Sequence, residues 1–182
     1  DDPRPLYGLD RLGDGAVLVV EGEKCADAAR AVLPPELSVV TWPGGSKAVG
    51  KADWSPLAGR KVIVWPDCDA QRDKGGELLP ESKQPGVRAA EEIAVLLKMR
   101  GCQVRIVAIP APGAKPSGWD VADAIAEGWT PDKVRAFIRE NLRPAAGDES
   151  TPTLDQPPAE DWRDDLVTTD RGAVLSCVAN AF

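Results

Sequence analysis

Two segments of this chain join a continuous apolar run to a cluster of acids. Val17-Leu18-Val19-Val20 runs into Glu21-Gly22-Glu23-Lys24, and Val62-Ile63-Val64-Trp65 runs into Pro66-Asp67-Cys68-Asp69. Unbroken β-branched runs fit strands buried on both faces, as in a parallel sheet. Ligands of open parallel sheets bind at the carboxyl ends of the strands, and chain direction alone puts both acid clusters at that edge. If the two strands are neighbours, Glu21, Asp67 and Asp69 share one small region. Two unit charges about 4 Å apart repel by roughly 4 kcal/mol at an effective dielectric near 20, so the cluster needs a cation or a shifted protonation. The donors are all oxygen and the chain has no histidine, which makes Mg²⁺ or Mn²⁺ the natural ion. Cys68 between the aspartates points the other way if the stretch is extended, and is read as packing. Taken singly, Glu21 or Glu23 could favour a helix N-terminus, and Asp67 and Asp69 could be turn residues. The joint pattern is what points to a metal.

Three further groups carry chemistry with alternatives open. Asp120 and Asp123, in Gly118-Trp119-Asp120-Val121-Ala122-Asp123, belong either to the metal's surroundings or, for Asp120, to the cap of a following helix. Lys24 is either a phosphate contact or a helix-face lysine. Lys47 and Lys51 either steer phosphate from a basic loop or are simply solvated. The loop Gly45-Ser46-Lys47-Ala48-Val49-Gly50-Lys51 also fits G-x-x-x-x-G-K, which makes a P-loop ATPase a rival. Against it, Ala52 stands where Mg²⁺ coordination needs a hydroxyl, and Pro56 and Gly59 break the helix that should follow.

The elements that must position these residues follow from periodicity and punctuation. Strands are expected near 16–20, 37–42, 61–65 and 104–109, and helices over 24–33, 86–100, 119–127 and 131–142. Pro34-Pro35 stops the first helix, Gly101 ends the second, and Thr130-Pro131 opens the last. This alternation predicts an α/β fold with a mostly parallel sheet of about four strands flanked by helices. Residues 1–143 are expected to form the domain, and 144–160, rich in Pro, Ala, Asp and Glu, a linker. Residues 161–182 are expected to be the truncated start of a second domain. The opening Asp1-Asp2-Pro3-Arg4-Pro5 reads as a cut inside a longer protein.

Composition removes several function classes. Without histidine, Ser-His-Asp and Cys-His catalysis and His-ligated metal sites are excluded within the chain. Cys25, Cys68, Cys102 and Cys177 form no C-x-x-C pair, which disfavours a zinc finger. Scattered single cysteines fit a reducing, cytoplasmic setting, and no apolar run approaches the roughly 18 residues of a membrane span. A net charge of −7 argues against strong gripping of a nucleic-acid backbone by this segment alone.

From Pro5-Leu6-Tyr7 to about Leu142 the chain resembles the Toprim domains of primases encoded by phages, plasmids and other mobile elements. In that family a Glu ends the first strand and a D-x-D ends the third, which corresponds here to Glu21 and to Asp67 and Asp69. Asp120 and Asp123 sit where the primase branch has a later acidic motif, although Trp119 replaces the basic residue before it. A second departure is the stretch Gln71–Gln84, inserted between the D-x-D and Pro85-Gly86, where the family has a Gly and then the helix. The tail from Asp161-Trp162-Arg163 resembles the start of a virulence-associated protein E-like domain. The resemblance implies a Rossmann-like Toprim fold and primer synthesis on single-stranded DNA from nucleoside triphosphates. It further implies Mg²⁺ or Mn²⁺ held by Glu21, Asp67, Asp69 and Asp120, and a helicase or ATPase domain in the same or a partner chain. A Toprim nuclease and a non-catalytic Toprim interaction module remain as alternatives. Tyr7 is the only tyrosine, and its place in the lead-in argues against a complete topoisomerase.

Overall fold

The computed structural model describes residues 3–147. Five strands form one sheet, β1 (Val17–Val20), β2 (Ser38–Val40), β3 (Lys61–Trp65), β4 (Gln103–Val107) and β5 (Leu142–Pro144), in the order β2-β1-β3-β4-β5. The first four are parallel and β5 is antiparallel to β4. Four helices accompany them: α1 (Glu23–Val32), α2 (Pro85–Lys98), α3 (Val121–Ala126) and α4 (Pro131–Glu140).

The apolar runs alternate between two cores, as the strand period of two requires. Val17, Val19, Val62 and Val64 face one core with Ile93, Ala94 and Leu97 of α2 and the indole of Trp54. Leu18, Val20, Ile63 and Trp65 face the other with Cys25, Ala26 and Ala29 of α1, Val121 of α3 and Ile138 of α4. Coverage of both faces explains why β1 and β3 carry almost no polar residue.

The order of strands fixes where a ligand can sit. From β1 the chain crosses outward to β2 through α1, returns past β1 to β3, and continues through α2 to β4. The direction of winding therefore reverses between β1 and β3, and a crevice opens there at the carboxyl edge. The return crossing contains two 3-10 turns, Ser46–Lys51 and Ser55–Leu57, the first packed against α2.

Several expected boundaries move. The sheet has a fifth strand, and β5 begins where the sequence predicted the end of a helix and a linker. It is three residues long with no alternation, and at an edge its Pro144 is tolerated. Ala145 is buried in the core next to it, so the domain extends past 143. The predicted linker beyond residue 147 and the predicted second domain at 161–182 lie outside the described residues. The helix expected over 119–127 is shorter, because Asp120 is extended and serves as its N-cap. Among the described residues no helix is long and apolar enough to cross a membrane.

Candidate metal centre

Parallel pairing sets Val20 opposite Trp65, so β1 and β3 deliver their acids side by side at the crevice. Glu21 follows β1 directly. Gly22, at φ 86°, turns the chain into α1 and donates its N–H to the buried Thr41 hydroxyl at 2.9 Å. The Glu21 carboxylate reaches across to the return crossing, where Oε1 accepts the Ser46 N–H at 2.9 Å. Burial raises the affinity of Glu21 for its proton, the Ser46 N–H lowers it, and the Asp69 charge raises it.

The D-x-D after β3 is held from both sides. Cys68 is fully buried, its thiol donates to the Pro110 carbonyl at 3.3 Å, and its backbone bridges to Trp119. That bridge ties the aspartates to the connection carrying Asp120. On the other side Asp69 Oδ2 accepts the Gly86 N–H at 2.7 Å, in the first turn of α2. The approach needs a glycine: a Cβ on Gly86 would stand 2.5 Å from the Asp67 carbonyl oxygen.

Asp67 lies between these arms. Its Oδ1 is buried without a hydrogen-bond partner, a state shared among the described residues only by Trp65 Nε1. Desolvation, reinforced by the charges of Glu21, Asp120, Asp69 and Asp123, pushes its pKa up to about 8. Asp120 is the N-cap of α3: its Oδ1 accepts the Asp123 N–H at 3.0 Å, and Asp123 returns a carboxylate oxygen to the Asp120 N–H at 3.3 Å. Asp120 also hydrogen-bonds the Cys25 thiol, whose pKa is raised by burial first and by this carboxylate next. Cap and neighbour of the acid cluster are therefore one residue in two roles.

Among the described residues no three Asp, Glu, Cys or His side chains already converge on one point as they do around a bound ion. The donor set nonetheless suits a hard divalent cation. It is all oxygen, it carries mutual repulsion, and it contains a buried carboxylate oxygen that no protein donor satisfies. Glu21, Asp67 and Asp69 are the residues that fit, with Asp120 close enough to raise the Asp67 pKa.

The basic candidates separate. Lys24 is exposed on the first turn of α1 and has no hydrogen bond or ion pair with the acids. Lys47 is exposed on the Ser46–Lys51 turn and lines a cavity shared with α2. The phosphate cradle of a P-loop is not formed: Ser46–Lys51 is a 3-10 turn, and the Ser46 N–H is already engaged by Glu21. Trp119 does structural work, buried under the Lys115 ammonium at 4.9 Å and donating from Nε1 to Glu127 at 3.0 Å.

Sequence reasoning missed Thr41, Ser46, Gly86 and Gln84. Gln84 is buried and closes the stretch 71–84 on itself, accepting the Gln71 N–H at 2.9 Å and donating to the Leu79 carbonyl at 2.8 Å. A glycine in the first turn of an otherwise Ala-rich helix was the available signal for a close backbone approach. No protein-family model matches the chain, and no curated protein matches it.

Proposed function

We propose that this domain is the metal-dependent catalytic module of a primase of the Toprim type, transferring nucleotidyl groups to make primers on single-stranded DNA. The observation that carries this reading is the placement of Glu21 and the Asp67–Asp69 pair at the adjacent ends of β1 and β3, near enough for their charges to act on one another, with Asp67 Oδ1 buried and unpaired. Asp67 and Asp69 would hold Mg²⁺ or Mn²⁺. When bound, the ion supplies charge neutralisation at the phosphate oxygens of a nucleoside triphosphate.

The remaining work falls to side chains. Asp69, fixed by the Gly86 N–H, holds its orientation as substrate arrives. Glu21 is a further ligand or the general acid/base. Its raised proton affinity suits the second role, because proton transfer is most effective when the pKa approaches the working pH. Template contacts belong to other domains, since the chain carries a net charge of −7. A helicase or ATPase domain in the same or a partner chain, and a cytoplasmic setting, complete the proposal.

The test is primer synthesis on single-stranded DNA with nucleoside triphosphates and Mn²⁺, together with the thermal shift that Mn²⁺ induces. The reading requires metal-dependent synthesis that Asp67→Asn with Asp69→Asn abolishes along with the thermal shift. Metal-dependent DNA cleavage without synthesis would select the nuclease alternative instead.

A further inference from the structure

Beside the acids lies a cavity of about 460 Å³, within the roughly 300–1,000 Å³ range of small-ligand pockets. Three segments wall it: the Ser46–Lys51 turn, the inserted stretch 71–84, and the first turns of α2. Its charged lining is Lys47, Lys83, Arg88 and Glu92. Lys47, Lys83 and Arg88 are exposed, and among the described residues none of their side chains has an ion-pair or hydrogen-bond partner. Arg88 and Glu92 are four residues apart on α2 yet do not pair. Three cations therefore face one concave volume in a chain whose net charge is −7.

The cavity is joined to the acid cluster by two direct links. Ser46, on its rim, is the residue whose N–H holds Glu21, and Pro85, on its opposite wall, precedes the Gly86 that holds Asp69. Gln84 keeps the inserted stretch folded beside Pro85, so Lys83 is presented from an anchored segment.

We infer that this cavity holds the polyphosphate tail of a nucleoside triphosphate, with Lys47, Lys83 and Arg88 as its binding residues. The inference rests on the nucleotidyl-transfer reading and assigns the substrate's tail to the surface that the insertion creates. A small polyanion fits better than a nucleic-acid strand. The cations line one bounded pocket rather than a track along the surface. Arg and Lys here supply charge-assisted hydrogen bonds to phosphate oxygens.

The experiment is calorimetric titration of the 182-residue chain with inorganic tripolyphosphate, with a nucleoside triphosphate, and with a single-stranded oligonucleotide lacking a triphosphate. Each is run with and without Mg²⁺, on the native chain and on Lys83→Ala with Arg88→Ala. Both side chains are exposed and unpartnered, and an unchanged thermal midpoint verifies the fold. The double variant is expected to weaken tripolyphosphate and nucleotide alike by about tenfold or more, whatever the base. Unchanged affinity, or no tripolyphosphate binding by the native chain, overturns the inference. A loss confined to the oligonucleotide also overturns it, in favour of a strand-binding surface. The metal reading fails separately. A chain indifferent to Mn²⁺ that still binds tripolyphosphate through Lys83 and Arg88 keeps the pocket and loses the catalytic module. A chain that responds to Mn²⁺ through Asp67 and Asp69 but binds tripolyphosphate without Lys83 and Arg88 does the reverse.

Discussion

Gly86 donates its backbone N–H to Asp69 Oδ2 at 2.7 Å, and it can do so only because it has no side chain. The first turn of α2 thus rests directly on the D-x-D, and the unsatisfied N–H groups and dipole of that turn favour the carboxylate.

Gly86→Ala should therefore injure both fold and site. The new Cβ would meet the Asp67 carbonyl oxygen at 2.5 Å, a backbone atom that cannot swing aside. Overpacking of this kind costs about 1–3 kcal/mol, against the modest gain Ala brings to a helix elsewhere. A urea midpoint should fall accordingly, and the Mn²⁺-induced thermal shift should shrink. A variant more stable than the native chain would show that α2 can retreat without cost.

Asp67 gives a pH signature opposite to that of most carboxylates. Its ordinary value is 3.8, and in the fold burial and then the Glu21 charge push it up to about 8. Between those values the folded chain keeps a proton that the unfolded chain has released. The unfolded state binds fewer protons, so stability falls as pH rises. The stabilising share of neutral Asp67 is complete below 3.8 and is lost as pH climbs through about 8. Metal-free chain should unfold at lower urea at about pH 8 than at about pH 5, and Asp67→Asn should flatten that difference. The Mn²⁺ shift should grow across the same window, because the ion displaces the proton. Equal pH dependence in native and variant chains would remove Asp67 from the account.

Much of this arrangement was legible because it is carried by runs. The apolar stretches ending at Val20 and Trp65 announce buried strands, and the acids after them announce an edge. What stayed hidden depends on chain crossings. That Ser46 meets Glu21 follows only once the return from β2 passes β1. Leu142–Pro144 has too few residues to show a period, and pairs with β4 because an open edge is there. Gln84 reads as an exposed loop residue until the stretch 71–84 closes around it.

Asp120 allows cap and charge to be separated. Asparagine caps a helix about as well as aspartate, so Asp120→Asn should hold the stability of α3 while removing one charge that raises the Asp67 pKa. Asp120→Ala should lose about 1 kcal/mol through the cap. If Asp120 joins the cluster chemically, the asparagine variant should show a weaker Mn²⁺ response and a lower Asp67 pKa, with an unchanged urea midpoint at about pH 5, where Asp67 keeps its proton in both chains. An asparagine variant with native metal response would confine Asp120 to capping.

The remaining prediction opposes Glu21 to Lys51. Both the nucleotidyl-transfer reading and a P-loop ATPase expect divalent metal and nucleotide, so metal binding alone does not choose between them. They differ in which residue carries the chemistry. Lys51 is exposed at the end of a 3-10 turn and lies outside the lining of the cationic cavity, whereas Glu21 is drawn into the crevice by Ser46. Removal of a ligand or general acid/base costs on the order of 10²–10⁴ in rate. Glu21→Gln should lose primer synthesis on single-stranded DNA by that order, while Lys51→Ala keeps most of it. The glutamine retains the acceptor for the Ser46 N–H, so the fold should persist and a normal thermal midpoint should accompany the lost rate. Any attached ATPase domain must be removed or disabled, because its turnover would mask the signal. The reverse pattern, with ATP hydrolysis that depends on Lys51 and ignores Glu21, would return the Gly45–Lys51 loop to a phosphate-cradling role and end the nucleotidyl-transfer mechanism.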